Sequence, residues 1–198
     1  MGMRAQYDDV RSHILDAGQR IIAAKGFEGV GLNEILGAAG IPKGSFYHYF
    51  PSKDGYGRAL LERYVATYLV RIETVLGAEG IPARDRLMRF WSTWAAWQSS
   101  DRIDEKCLVV KLSAEVADLS DAMRRALRDG TDQVIARLAR CMAEGLADGS
   151  LSAGLEPEAT AERLYMLWLG ASLLTKLRRD PTALDAALAE TRALLTPA

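Results

Sequence analysis

The sequence predicts an all-α fold, with a small three-helix domain at the N-terminus followed by a larger helical bundle. Apolar residues recur at three- and four-residue steps from Val10 onward, the period of a helix with one buried face. Glycine and proline fall between these stretches, at Gly26, at Gly40-Ile41-Pro42 and at Phe50-Pro51-Ser52, where one helix ends and the next opens. No run of alternating β-branched residues marks a strand, and no internal repeat is present.

Taken in order, Val10, Ile14, Ala17, Ile21 and Ile22 form one stripe on a helix that stops at Gly26. A short helix follows over about Leu32 to Ala39, with Leu32, Ile35 and Leu36 inward. Pro42 fits the first turn of another short helix, because its missing N–H has no partner there. Ser52 is placed to cap a long helix in which Leu60, Tyr64, Tyr68, Ile72 and Leu76 repeat every four residues. Pro82 starts a helix carrying Leu87, Phe90, Trp91, Trp94 and Trp97. A polar stretch, Gln98 to Lys106, separates it from an apolar helix starting near Cys107. Ser120-Asp121 caps a helix running to about Leu146, Glu156 to Leu177 forms another, and Pro181 opens the last. The domain boundary falls in the helix after Ser52, giving residues 1–55 and 56–198.

Composition narrows the class of function. A net charge of −1 gives nucleic-acid binding no global support, but its distribution does. No acidic residue lies between Ile35 and Lys53, whereas Lys43, His48 and Lys53 do, leaving a small cationic window. Two cysteines make no disulfide framework, the N-terminus lacks a secretory apolar core, and no apolar run reaches the roughly 18 residues of a membrane span. A cytoplasmic protein with reduced thiols and no membrane partner is expected. With His13 and His48 the only histidines, no metal cluster, phosphate loop or catalytic triad can be assembled, so neither an enzyme nor a cofactor is expected.

Two short helices joined by Gly40-Ile41-Pro42 are the arrangement in which the second helix lies in a major groove of double-stranded DNA. That helix offers Lys43, Gly44, Ser45, Tyr47, His48 and Tyr49, and Lys53 stands just beyond it. Small Gly44 and Ser45 allow close approach to the phosphate backbone, while Tyr47, Tyr49 and Lys53 reach phosphates and hold register. Phe46 and Phe50 are spaced to face inward.

The string Asn33-Glu34-Ile35-Leu36-Gly37-Ala38-Ala39-Gly40-Ile41-Pro42-Lys43-Gly44-Ser45-Phe46-Tyr47-His48-Tyr49-Phe50, with Gly26-Phe27 before it and Lys53 after, resembles the DNA-binding signature of the tetracycline-repressor (TetR) family. The resemblance implies a homodimeric transcriptional repressor on an operator with two-fold character. It also implies a C-terminal bundle that senses a small-molecule inducer and dimerises, the helices from Glu156 and Pro181 making the interface. Gly31 departs from the family pattern, which has Ser or Thr capping the second helix and touching phosphate.

Cys107-Leu108-Val109-Val110-Lys111-Leu112-x-x-Glu115, with Leu169-Gly170 and Lys176 later, resembles a subgroup that includes the repressors of N-ethylmaleimide reductase and of acrylate metabolism. In that subgroup the cysteine starts a helix, and a lysine corresponds to Lys176. A thiol in a helix's first turn, near Lys106 or Lys111, is expected to favour thiolate and so to add to electrophiles or be oxidised. Lys176, among Leu173, Leu174 and Leu177, is expected to be partly desolvated and able to meet a modified sulfur. Trp91 and Trp94 are candidates for lining a pocket. Two alternatives stay open: a repressor with a non-covalent apolar pocket in which Cys107 is only a buried hydrophobe, and, more remotely, a helical enzyme or adaptor that does not bind DNA.

Overall fold

The computed structural model describes residues 3–100, 102 and 107–197. Among them are nine α-helices and no strand: α1 (Met3–Lys25), α2 (Leu32–Ala39), α3 (Lys43–Tyr49), α4 (Lys53–Leu76), α5 (Ala83–Ser99), α6 (Leu108–Leu119), α7 (Asp121–Ala147), α8 (Pro157–Arg178) and α9 (Thr182–Leu194). None is long and apolar enough to cross a membrane among the described residues. The helix starts follow local chemistry. The Ser52 hydroxyl accepts the Gly55 N–H at 2.9 Å and the Ser120 hydroxyl accepts that of Met123 at 3.2 Å, each satisfying an N–H that the helix itself leaves unpaired. Pro42 stands one residue outside its expected place. It is the extended N-cap of α3 (φ −72°, ψ 153°), and its carbonyl accepts the Ser45 N–H at 3.0 Å.

The chain divides into two compact units that are discontinuous in sequence: residues 1–65 with 106–128, and residues 66–105 with 129–198. The first holds α1–α3, the N-terminal part of α4, α6 and the start of α7. Its core gathers Ile14, Leu15, Ile22, Ile35, Phe46, Phe50, Leu60 and Leu61 with Leu108, Leu112, Val116 and Met123, all buried. Phe46, Phe50 and Tyr56 form a ring cluster with centroids 5.0–5.7 Å apart, the spacing at which aromatic edges and faces attract. The Tyr56 hydroxyl donates to the Ile14 carbonyl at 3.2 Å, and its burial drives the phenol's pKa far upward.

The second unit is built on tryptophan. Trp91 of α5 stacks on Trp168 of α8 with centroids 4.9 Å apart and planes 19° off parallel. Two of the enclosed indoles find a hydroxyl, Trp94 Nε1 donating to Ser172 Oγ and Trp168 Nε1 to Thr191 Oγ1, both at 2.9 Å, whereas the buried Trp91 Nε1 has no hydrogen-bond partner. Buried Arg86 donates to the Leu76 carbonyl and pairs with Glu144 at 2.7 Å, joining the end of α4 to α5 and α7.

Candidate DNA-binding head and thiol site

The turn before α3 is made by Gly40 at φ 64°, a left-handed conformation that costs glycine nothing. It lets the Gly40 N–H reach Gly37 O and the Ile41 N–H reach Leu36 O at 3.1 Å, closing α2 before Pro42 redirects the chain. α3 then splits cleanly by face. Phe46 and Phe50 are buried, as their spacing predicts, while Lys43, Gly44, Tyr47 and His48 are exposed and Ser45 is half-buried. Tyr47, with half its surface open, is one of few large aromatic side chains so displayed.

Tyr49 and Lys53 are more tied down than the sequence suggests. Tyr49 is half-buried with its ring 4.7 Å from that of Tyr7 in α1, and Tyr7 also packs edge-on to His48. The Lys53 ammonium donates to the Phe27 carbonyl at 3.0 Å and lies 4.7 Å over the Phe27 ring. His13 Nε2–H donates to Ala39 O at 3.0 Å, pinning α1 to the end of α2. Gly31 caps α2 in extended conformation without a side-chain hydrogen bond, and a Cβ there would meet nothing within 4 Å.

Cys107 is the N-cap of α6, one residue before the expected first turn, and only 8% of it is exposed. The lowered thiol pKa expected from the helix end is corrected. Burial pushes the Cys107 thiol above its ordinary range, outweighing the N–H groups of Val110 and Val109 and the Tyr64 hydroxyl, which favour the anion. The same hydroxyl accepts the Leu108 N–H at 3.2 Å. Lys111, expected to act on the sulfur, donates instead to the Ala24 carbonyl at 3.0 Å, and Lys106 lies outside the described residues. Lys176 belongs to the second unit and is exposed on the single chain, as are Leu173, Leu174 and Leu177, so its own chain does not supply the expected desolvation. Cys141 is buried, its S–H directed at the Leu76 and Ala83 carbonyls, and its thiol is pushed up to about 11 by burial.

Trp91 is fully buried in the core and is not among the residues around the aromatic cleft. Trp94 is buried too, but its edge joins Trp97, Phe90, Tyr68, Ile72 and Val75 around a cleft of about 270 Å³, counted out to solvent, in the second unit. The exposed Arg71 guanidinium sits 6.0 Å from the Trp97 ring at its mouth. Sequence reasoning missed Tyr7, which precedes the first apolar stripe, and read Tyr64 only as part of an apolar face. Glu115 stands in the run after Cys107 with no role assigned. Its carboxylate nevertheless accepts the N–H groups of both Phe27 and Glu28.

Comparison with known proteins agrees with this geometry. Residues 14–56 match the bacterial regulatory proteins of the tetR family, and residues 83–191 match the tetracyclin repressor-like C-terminal domain. The HTH-type transcriptional repressor NemR of Escherichia coli K12 is 41% identical over 191 residues, 96% of each chain. The transcriptional regulator AcuR of Cereibacter sphaeroides is 37% identical over 172 residues, 86% of this chain and 78% of that one. The crystal structure of reduced E. coli NemR superposes with a TM-score of 0.90 at 41% identity, covering 95% of this chain and 97% of that one.

Proposed function

Because the chain belongs to the tetR family of bacterial regulatory proteins, we propose that it represses transcription as a homodimer on a two-fold operator and is released when an electrophile or oxidant modifies Cys107. The observation that carries the DNA-binding half is the division of α3. Two buried phenylalanines fix the helix, and the opposite side presents Lys43, Tyr47 and His48 to a groove. Lys43 meets phosphate, Tyr47 and His48 face base edges or sugar, and half-buried Tyr49 and Lys53 set the height of the helix over the backbone.

For the dimer, α8 offers an apolar stripe that its own unit leaves uncovered. Met166, Leu167, Leu173, Leu174 and Leu177 are 38–70% exposed at helical spacing, with Gly170 bare at its centre, where a Cβ would meet nothing. Ala171 and Ser172 instead face the unit's own core, as do Leu184 and Leu195 of the C-terminal segment, leaving Leu188 and Leu194 at the rim. Two such stripes meeting about a two-fold axis bury the exposed leucines of both copies.

For release, Cys107 is held protonated at rest, yet its sulfur lies where the first N–H groups of α6 and the Tyr64 hydroxyl stabilise an anion once the packing around it opens. An inducer must favour a dimer whose recognition helices are misspaced for the operator. The buried thiol also favours a second reading, in which an apolar ligand fills the Tyr68–Trp97 cleft without covalent change. Operator binding measured before and after N-ethylmaleimide treatment separates them. Loss of binding in wild type but not in Cys107→Ser supports thiol release; equal loss or retention in both proteins rejects it and leaves the cleft.

A further inference from the structure

We propose that Glu115 is a positioning residue for DNA binding, the grip through which α6 holds the recognition domain in its operator-binding arrangement. Its two carboxylate oxygens take two successive backbone N–H groups eighty-odd residues away in sequence, Phe27 at 3.1 Å and Glu28 at 2.5 Å, directly after α1 ends. Gly26 enters that corner at φ 89°, and a Cβ on it would stand 2.9 Å from Glu115 Oε2, so the chain is shaped around the carboxylate. One turn earlier on α6, the Lys111 ammonium donates to the Ala24 carbonyl near the end of α1, 3.0 Å away. Acceptor and donor on one helix thus hold both kinds of unpaired group at the corner between α1 and α2.

The corner is also tied to α4. Phe27 donates its N–H to Glu115 while its carbonyl receives Lys53, and its ring lies against Gly57, where a Cβ would come within 2.6 Å. Moving Glu115 therefore moves the segment that leads into α2 and α3. At the other end of the same helix is Cys107, eight residues and about 12 Å away at the helical rise. A maleimide adduct has no room beside the sulfur of a residue that is 8% exposed in a close-packed core, so α6 shifts as a rod to admit it. The link to Cys107 rests on the thiol-release reading; the positioning of the corner by Glu115 does not.

The test uses full-length protein, its upstream operator DNA and N-ethylmaleimide, comparing wild type with Glu115→Gln. The amide keeps one acceptor and turns an NH2 toward the other backbone N–H, so one charge-assisted bond is replaced by a donor–donor contact. Expected for the variant is about tenfold weaker operator binding before any treatment, with less than about threefold further loss after alkylation. Hydrogen exchange at residues 26–31 rises in the untreated variant and, independently of any variant, in alkylated wild type. A variant that melts lower but keeps wild-type affinity and the full alkylation response overturns the proposal, as does unchanged exchange at 26–31 in wild type whose affinity has fallen on alkylation. If alkylation leaves wild-type affinity intact, thiol release fails by itself. Glu115 is then decided by the untreated variant: tenfold weaker binding sustains the positioning role and wild-type binding ends it.

Discussion

At the scale of single residues, the close approaches are where this fold is most exacting. Gly18 lies under the Tyr56 hydroxyl, where a Cβ would come within 1.8 Å. Gly18→Ala should therefore destabilise the protein by about 1–3 kcal/mol in urea denaturation despite alanine's better helix propensity. The cost should shrink in a Tyr56→Phe background, because the clashing oxygen is gone. Gly31→Ser is the opposite case: open space and an N-cap geometry already in place. It should add roughly 0.3 kcal/mol of stability and tighten operator binding through a new phosphate contact. Cys107 gives a pH signature. Alkylation needs the thiolate, and a pKa raised by burial lowers the thiolate fraction at neutral pH. Iodoacetamide labelling of Cys107 should thus climb about tenfold per pH unit and keep climbing past pH 9, where an ordinary thiol levels off. A plateau near neutrality would mean the sulfur is ionised at rest.

Among elements, what the sequence made legible is what periodicity and punctuation encode. The helices, the glycine turn before α3 and the inward Phe46 and Phe50 all follow from spacing and from residues with restricted backbones. Contacts between distant segments left no local trace. Nothing near Lys111 announces the Ala24 carbonyl, nothing near Tyr7 announces Tyr49, and the helix-end argument at Cys107 ignored the burial that reverses it. Burial is a property of the packed helix set, so a thiol's surroundings cannot be read from its neighbours in sequence. Two elements carry direct tests. Lys43→Ala on α3 should weaken all duplexes alike and reduce the salt dependence of binding by about one unit of slope, measured as log Kd against log salt. Leu177→Glu on α8, 70% exposed, should yield a folded monomer by light scattering with unchanged helicity. A dimer that survives it places the interface elsewhere.

For the molecule as a whole, the sequence suggested a cut at residue 55, and the compact units are drawn differently. α6 and the start of α7 pack with the N-terminal helices, while the aromatic cleft and the leucine stripe of α8 lie in the other unit. Cys107 and the cleft therefore belong to different units, and α4 and α7 are the helices with residues in both. An inducer acting at the cleft should change hydrogen exchange first in residues 66–76 and 90–97, whereas one acting at Cys107 should change it first in residues 107–119. The order of those changes after rapid mixing distinguishes the two routes.

Discontinuity has a practical corollary for anyone wishing to transplant the operator-reading module. A fragment ending at residue 65 carries every helix of the DNA-binding motif but loses Leu108, Leu112 and Val116 from its core and Glu115 from the Phe27 corner. Such a minimal chimera would be born with an apolar wound on one side, prone to clumping and slack at the turn that aims α3. A loop-shortened graft that keeps residues 107–128 on a linker should behave as a portable unit.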